Sequence, residues 1–227
     1  MSTATKKAYV YKMKLVPANI LGTVILVLLI LFSILIKADF HISGNFWILL
    51  ITLILYLCLH EFLHGIGYLI GGTKRKNIAY GICLEKGILY CMAYQELTKK
   101  NILISLQMPF VVIGVITYII SYIFNLPYLM FLSIVNLVGA CMDLVMFIYI
   151  SKLDKDVIYS ESGEPDQFVL ISSEDLTKKK NKYFEIVDVK DYKKEDYRFK
   201  DIKKITISKT SYIVLGVLLL GVILSII

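Results

Sequence analysis

Several residue types are scarce in this chain of 227 residues: histidine occurs three times, cysteine four times and tryptophan once. The cysteines stand at 58, 83, 91 and 141, so no Cys-x-x-Cys pair exists and a thiolate zinc site is not expected. Cys58 and Cys141 fall inside apolar runs, while Cys83 and Cys91 flank a short loop on the side assigned below to the cytosol, where disulfides are rare. All four read as small apolar fillers. Acid is nearly missing from the long apolar runs, where it appears at Glu61 and Asp143 alone. The net charge of +7 therefore resides in loops and tail, which suits the positive-inside rule and anionic lipid headgroups better than nucleic acid.

Hydrocarbon, by contrast, is abundant. Apolar residues make up 57% of the chain and its mean hydropathy is +0.70, against roughly 45–50% apolar in ordinary soluble domains. Five runs approach the length of about 20 residues that spans a bilayer: 19–37, 46–70, 102–124, 128–150 and 211–227. The first follows four lysines, and no small-residue cleavage site comes after Ile36, so it reads as a retained span rather than a signal peptide. Lysine and arginine set the orientation. The segment 1–18 is expected in the cytosol, the loop 38–45 outside, 71–101 inside, "NLPY" outside and 151–210 inside. The expected fold is an all-α polytopic protein of the cell membrane with about five transmembrane helices, a β-hairpin over 77–97 and a short cytosolic appendage over 151–210. In that appendage "SESGEPDQ" reads as a loop, and "FVLIS", "YFEIVDV" and "YRFKDIKKITI" as short strands or parts of a basic tail.

Within the second run stands His60-Glu61-Phe62-Leu63-His64. Positions four apart lie on one helical face, so the two imidazoles can hold one tetrahedral Zn²⁺. A glutamate beside the first histidine reaches the attacking water rather than the metal, as a general base must. Ionisable groups at membrane depth cost at least ~2.5 kcal/mol each and are functional by default. A polar helix–helix contact without metal is the plainer alternative.

Catalytic zinc takes a third protein ligand, and Asp143 is the candidate. Counted at 1.5 Å per residue from the outer ends of their spans, His60 and Asp143 both lie ~21–23 Å deep. Gly139 and Ala140, one turn earlier, permit close helix approach. The competing reading pairs Asp143 with a lysine such as Lys152. Glu85 and Glu96 are rival ligands, and His41 sits on the outer side. Asn136, two turns before Asp143, is a candidate for the oxyanion or a substrate backbone. Gln107 and Tyr94 are further candidate substrate contacts, with Tyr90 and Gln95 beside them, and Pro109 is expected to kink the third span.

With His-Glu-x-x-His in one span and Asp143 in a later one, residues 15–150 resemble the site-2 protease family of membrane-embedded zinc metalloproteases. They are most similar to a family of small bacterial membrane proteins classed as zincin peptidases of unknown function. The chain departs from the pattern where such proteins commonly carry glycine after the metal aspartate, since here Leu144 follows Asp143. The resemblance implies Zn²⁺ on His60, His64 and Asp143, Glu61 as base, and transmembrane or membrane-tethered proteins as substrates. A metal-binding membrane scaffold without activity is the alternative, and a Glu61→Gln variant separates the two. A proton or metal transporter is disfavoured by the small number of spans.

Overall fold

The computed structural model describes residues 6–38, 46–83, 88–162, 164, 166–179 and 181–193. The apolar run 211–227, the strand expected at "YRFKDIKKITI", His41 and Glu85 lie outside the described residues.

The expected all-α fold is overturned. The chain is mixed α/β, with a five-stranded antiparallel sheet and a separate two-stranded one. Its first element is a strand, β1 (Lys7–Met13), followed directly by α1 (Leu15–Leu35) and α2 (Phe46–Ile70). A hairpin of β2 (Ile78–Cys83) and β3 (Ile88–Ala93) comes next, then the short β4 (Leu97–Thr98) and α3 (Lys99–Pro109). A π-helical stretch, Phe110–Ile116, continues α3 into α4 (Thr117–Ile123). The chain goes on through α5 (Pro127–Gly139), α6 (Cys141–Ser151), β5 (Ile158–Glu161), β6 (Gln167–Ser172) and β7 (Phe184–Asp191).

The larger sheet has the order β4-β5-β6-β1-β7. β1 sits between β6 and β7, with Tyr9 opposite Leu170 on one side and Val189 on the other. "KAYVYKM" reads as a basic leader because it precedes a hydrophobic run, yet Tyr9 and Tyr11 are buried two apart on one face of a strand, and Ala8 is buried on the other. Tyr11 stacks on Phe168 with ring centroids 5.1 Å apart and shares a 2.8 Å hydrogen bond with the hydroxyl of Tyr149 on α6. The sheet is thereby fastened to the helices through one core, which Tyr68, Leu106, Val145 and Ile150 join from the helical side.

Among the described residues three helices are long and apolar enough to cross a membrane: Leu15–Leu35, Trp47–Ile70 and Lys99–Ile123. A fourth crossing exists if α5 and α6, bent by 46° at Ala140, count as one broken span. Pro109 cannot donate a helical hydrogen bond and crowds the preceding turn. The helix absorbs this as the wider π-turns that follow it, where a simple kink was expected. α2 ends at Gly72, whose φ of 94° suits glycine and stops the helix.

Candidate metal centre

α2 and α3 approach each other very closely. A Cβ built on Gly67 would lie 2.4 Å from the Ser105 Cα, so only glycine permits this spacing. The contact puts the Ser105 carbonyl 3.0 Å from Nδ1 of His64, and the Ser105 hydroxyl donates back to the His64 carbonyl at 2.9 Å. A carbonyl oxygen can only accept, so Nδ1 of His64 carries a proton, and in the neutral ring Nε2 then presents a lone pair.

His60 is set in the same way by Asn136 on α5. The Asn136 Nδ2 donates to the Pro109 carbonyl at 3.0 Å, which turns its Oδ1 toward Nδ1 of His60 at 2.8 Å. That oxygen accepts, so His60 also bears its proton on Nδ1. The two Nε2 atoms then face each other at 3.2 Å. The third member is Asp143 in the first turn of α6, with Oδ2 3.2 Å from Nε2 of His60 and 3.4 Å from Nε2 of His64.

Three potential acceptor atoms thus converge at a point where a shared proton or a metal ion must lie between them. The spacing suits zinc. Ligands at about 2.0–2.1 Å around a tetrahedral ion stand roughly 3.3–3.4 Å apart, close to the three separations found. Glu61 has an oxygen within 4.8 Å of the ligand nitrogens of both histidines, near enough to reach a water at the open position. Its carboxylate accepts from the backbone N–H of Cys91 on β3.

The remaining candidates fall elsewhere. Both polar atoms of Asn136 are engaged by the protein, which makes it a partner of His60. Gln107 is exposed, and neither it nor Tyr94 is among the residues lining the cavity at the cluster, whereas Tyr90 is. Gln95 accepts from Asn77 at 2.6 Å, and Glu96 accepts from the Tyr192 hydroxyl, away from the histidines. Cys58, Cys91 and Cys141 are free thiols.

The cavity is about 280 Å³ and holds one residue that the sequence reading assigned to a loop, Glu161 at the end of β5. It is 7% exposed, and Tyr68 and Tyr159 donate to its two oxygens at 3.2 and 3.1 Å. The backbone N–H of Ala93 donates as well. Burial pushes its carboxyl up to about 7 against the pull of those donors. Continuing the four-residue step from His60 through His64 lands on Tyr68, so one end of this contact was visible in the sequence. The other required the sheet.

The family model described as "Putative zincin peptidase" matches residues 53–158, a stretch that contains His60, Glu61, His64, Asn136 and Asp143. This agrees with the resemblance read from the sequence. A protein of Pyrococcus woesei, "Uncharacterized 24.7 kDa protein in gap 5'region", is 29% identical over 118 residues. The match covers 51% of this chain and 51% of that protein, so the chain spans about half the length of the relative it matches. No solved structure matches the chain.

Proposed function

We propose that the chain is a membrane-embedded zinc metalloendopeptidase of the site-2 protease type, acting on transmembrane or membrane-tethered proteins. The observation that carries this reading is the triangle of His60 Nε2, His64 Nε2 and Asp143 Oδ2, with edges of 3.2–3.4 Å, beside Glu61. A zinc ion bound there supplies a Lewis acid that acidifies water and polarises the scissile carbonyl.

The protein's own residues do the rest. Asn136 and the Ser105 carbonyl hold the imidazoles in the tautomer that frees both Nε2 atoms, as outer partners of metal ligands commonly do. Glu61 takes a proton from the attacking water as its oxygen closes on the carbonyl carbon. The same carboxyl then gives that proton to the leaving nitrogen as the C–N bond breaks. β3 turns its edge away from β2 and toward this cleft, with Cys91 N–H directed at Glu61. A substrate helix, once unwound, can be held there as an added strand. Three or four apolar crossings, with lysines at 12 and 14 before the first, favour a multi-pass protein with a cytosolic N-terminus.

Glu61→Gln tests the reading. Purified protein is reconstituted in phosphatidylethanolamine/phosphatidylglycerol vesicles with synthetic single-span peptides, and both zinc content and cleavage products are measured. The variant is expected to keep zinc and lose cleavage by about 100-fold or more, the share of a general base. Cleavage that survives the substitution, or a wild type that cuts none of the peptides, favours the scaffold.

A further inference from the structure

We propose that Glu161 determines specificity by receiving a lysine or arginine side chain of the bound polypeptide, beside the metal cluster. The inference rests on the peptidase reading for the word substrate, but its own observations are independent of hydrolysis.

Three donors converge on this carboxylate: the hydroxyls of Tyr68 and Tyr159, one on each oxygen, and the Ala93 N–H. The ionised form accepts all three contacts, while burial without a cation beside it favours the protonated one. Buried charges are otherwise paired or bound to metal. Among the described residues no lysine or arginine pairs with Glu161, and His64 has Nδ1 committed to Ser105 and Nε2 to the cluster. Glu161 lines the same cavity as Asp143 and Glu61, so a basic side chain that enters beside the metal cluster meets it.

The walls indicate which kind of cation. Met13, Leu89, Met92, Leu106, Met142 and Met146 line the cavity together with Glu161. An apolar sleeve that ends in a carboxylate fits a long methylene stem with a charged tip. The volume of about 280 Å³ admits a side chain rather than a folded ligand. Methionines adapt their shape, so lysine and arginine can both enter. Basic residues also cluster at the cytosolic ends of membrane helices, which puts such side chains near the scissile segment of a membrane substrate.

The test is equilibrium binding. Two blocked, fluorescein-labelled apolar peptides, identical except for one lysine or one norleucine, are titrated against the full-length zinc-loaded protein in micelles. Anisotropy is read with wild type and with Glu61→Gln, which prevents turnover. The lysine peptide is expected to bind at least tenfold tighter, with the preference confined to one position when the lysine is walked along the peptide. Glu161→Gln should abolish the preference and leave the norleucine peptide unchanged. Equal binding of both peptides by wild type overturns the proposal even if the variant fails to fold, as does a preference that survives Glu161→Gln. Preference without cleavage leaves the pocket standing and removes the peptidase reading. Cleavage without preference does the reverse.

Discussion

Nδ1 of His60 lies 2.8 Å from Oδ1 of Asn136, an amide whose other end is held by the Pro109 carbonyl at 3.0 Å. Because that carbonyl decides which way the amide points, Pro109 indirectly sets the tautomer of a metal-site histidine. Asn136→Leu keeps the approximate size and removes the fixing hydrogen bond. Zinc affinity is expected to fall about 10–100-fold, the usual effect of losing an outer partner of a ligand. Competition with a fluorescent chelator measures it, and unchanged affinity would show that His60 needs no such support.

Asp143→Ala removes one edge of the ligand triangle and leaves two imidazoles. The purified variant is expected to carry well under one zinc per chain where wild type carries about one, as tetrahedral catalytic sites use three protein ligands. Elemental analysis of the two proteins side by side decides it. Full zinc occupancy in the variant would assign the third ligand elsewhere.

Gly67→Ala should act through geometry alone. The new methyl would meet the Ser105 Cα at 2.4 Å, a backbone atom that cannot swing aside. α2 and α3 must separate, at a cost of about 1–3 kcal/mol by analogy with overpacked cores. The same shift pulls the Ser105 carbonyl from His64, so thermal stability and zinc affinity are expected to drop together. A variant that loses one and keeps the other would uncouple helix packing from the site.

Glu161 gives the fold a pH dependence. Its carboxyl titrates at its ordinary 4.5 in the unfolded chain and near 7 in the fold. The folded state therefore holds the proton more tightly. The stability this confers is complete below pH 4.5 and is lost as pH rises through 7. Metal-free wild type is expected to lose melting temperature between about pH 5 and pH 8, and Glu161→Gln to flatten part of that fall. Parallel pH profiles for the two proteins would refute the assignment.

Some of this molecule was written locally. The histidines four apart fix one face of a helix whatever surrounds it, and the apolar runs announce membrane-crossing lengths through composition alone. The meeting of Asp143 with the histidines was reached by counting the rise of one straight helix, although the chain bends by 46° between α5 and α6 just before Asp143. None of these needs knowledge of a distant residue. The large sheet does, since β1 is paired on both sides by segments from the far end of the chain. In sequence β1 is a few alternating residues ahead of an apolar run, and β6 and β7 are short stretches among lysines. Only mutual pairing makes them strands, because a strand's hydrogen bonds all leave the segment, whereas a helix closes its own. The same reason hides Glu161, a charge tolerable in a buried place only once Tyr68, Tyr159 and Ala93 have been brought around it. The sequence determined which helix face could hold a metal. Tertiary pairing decided what stands opposite that face.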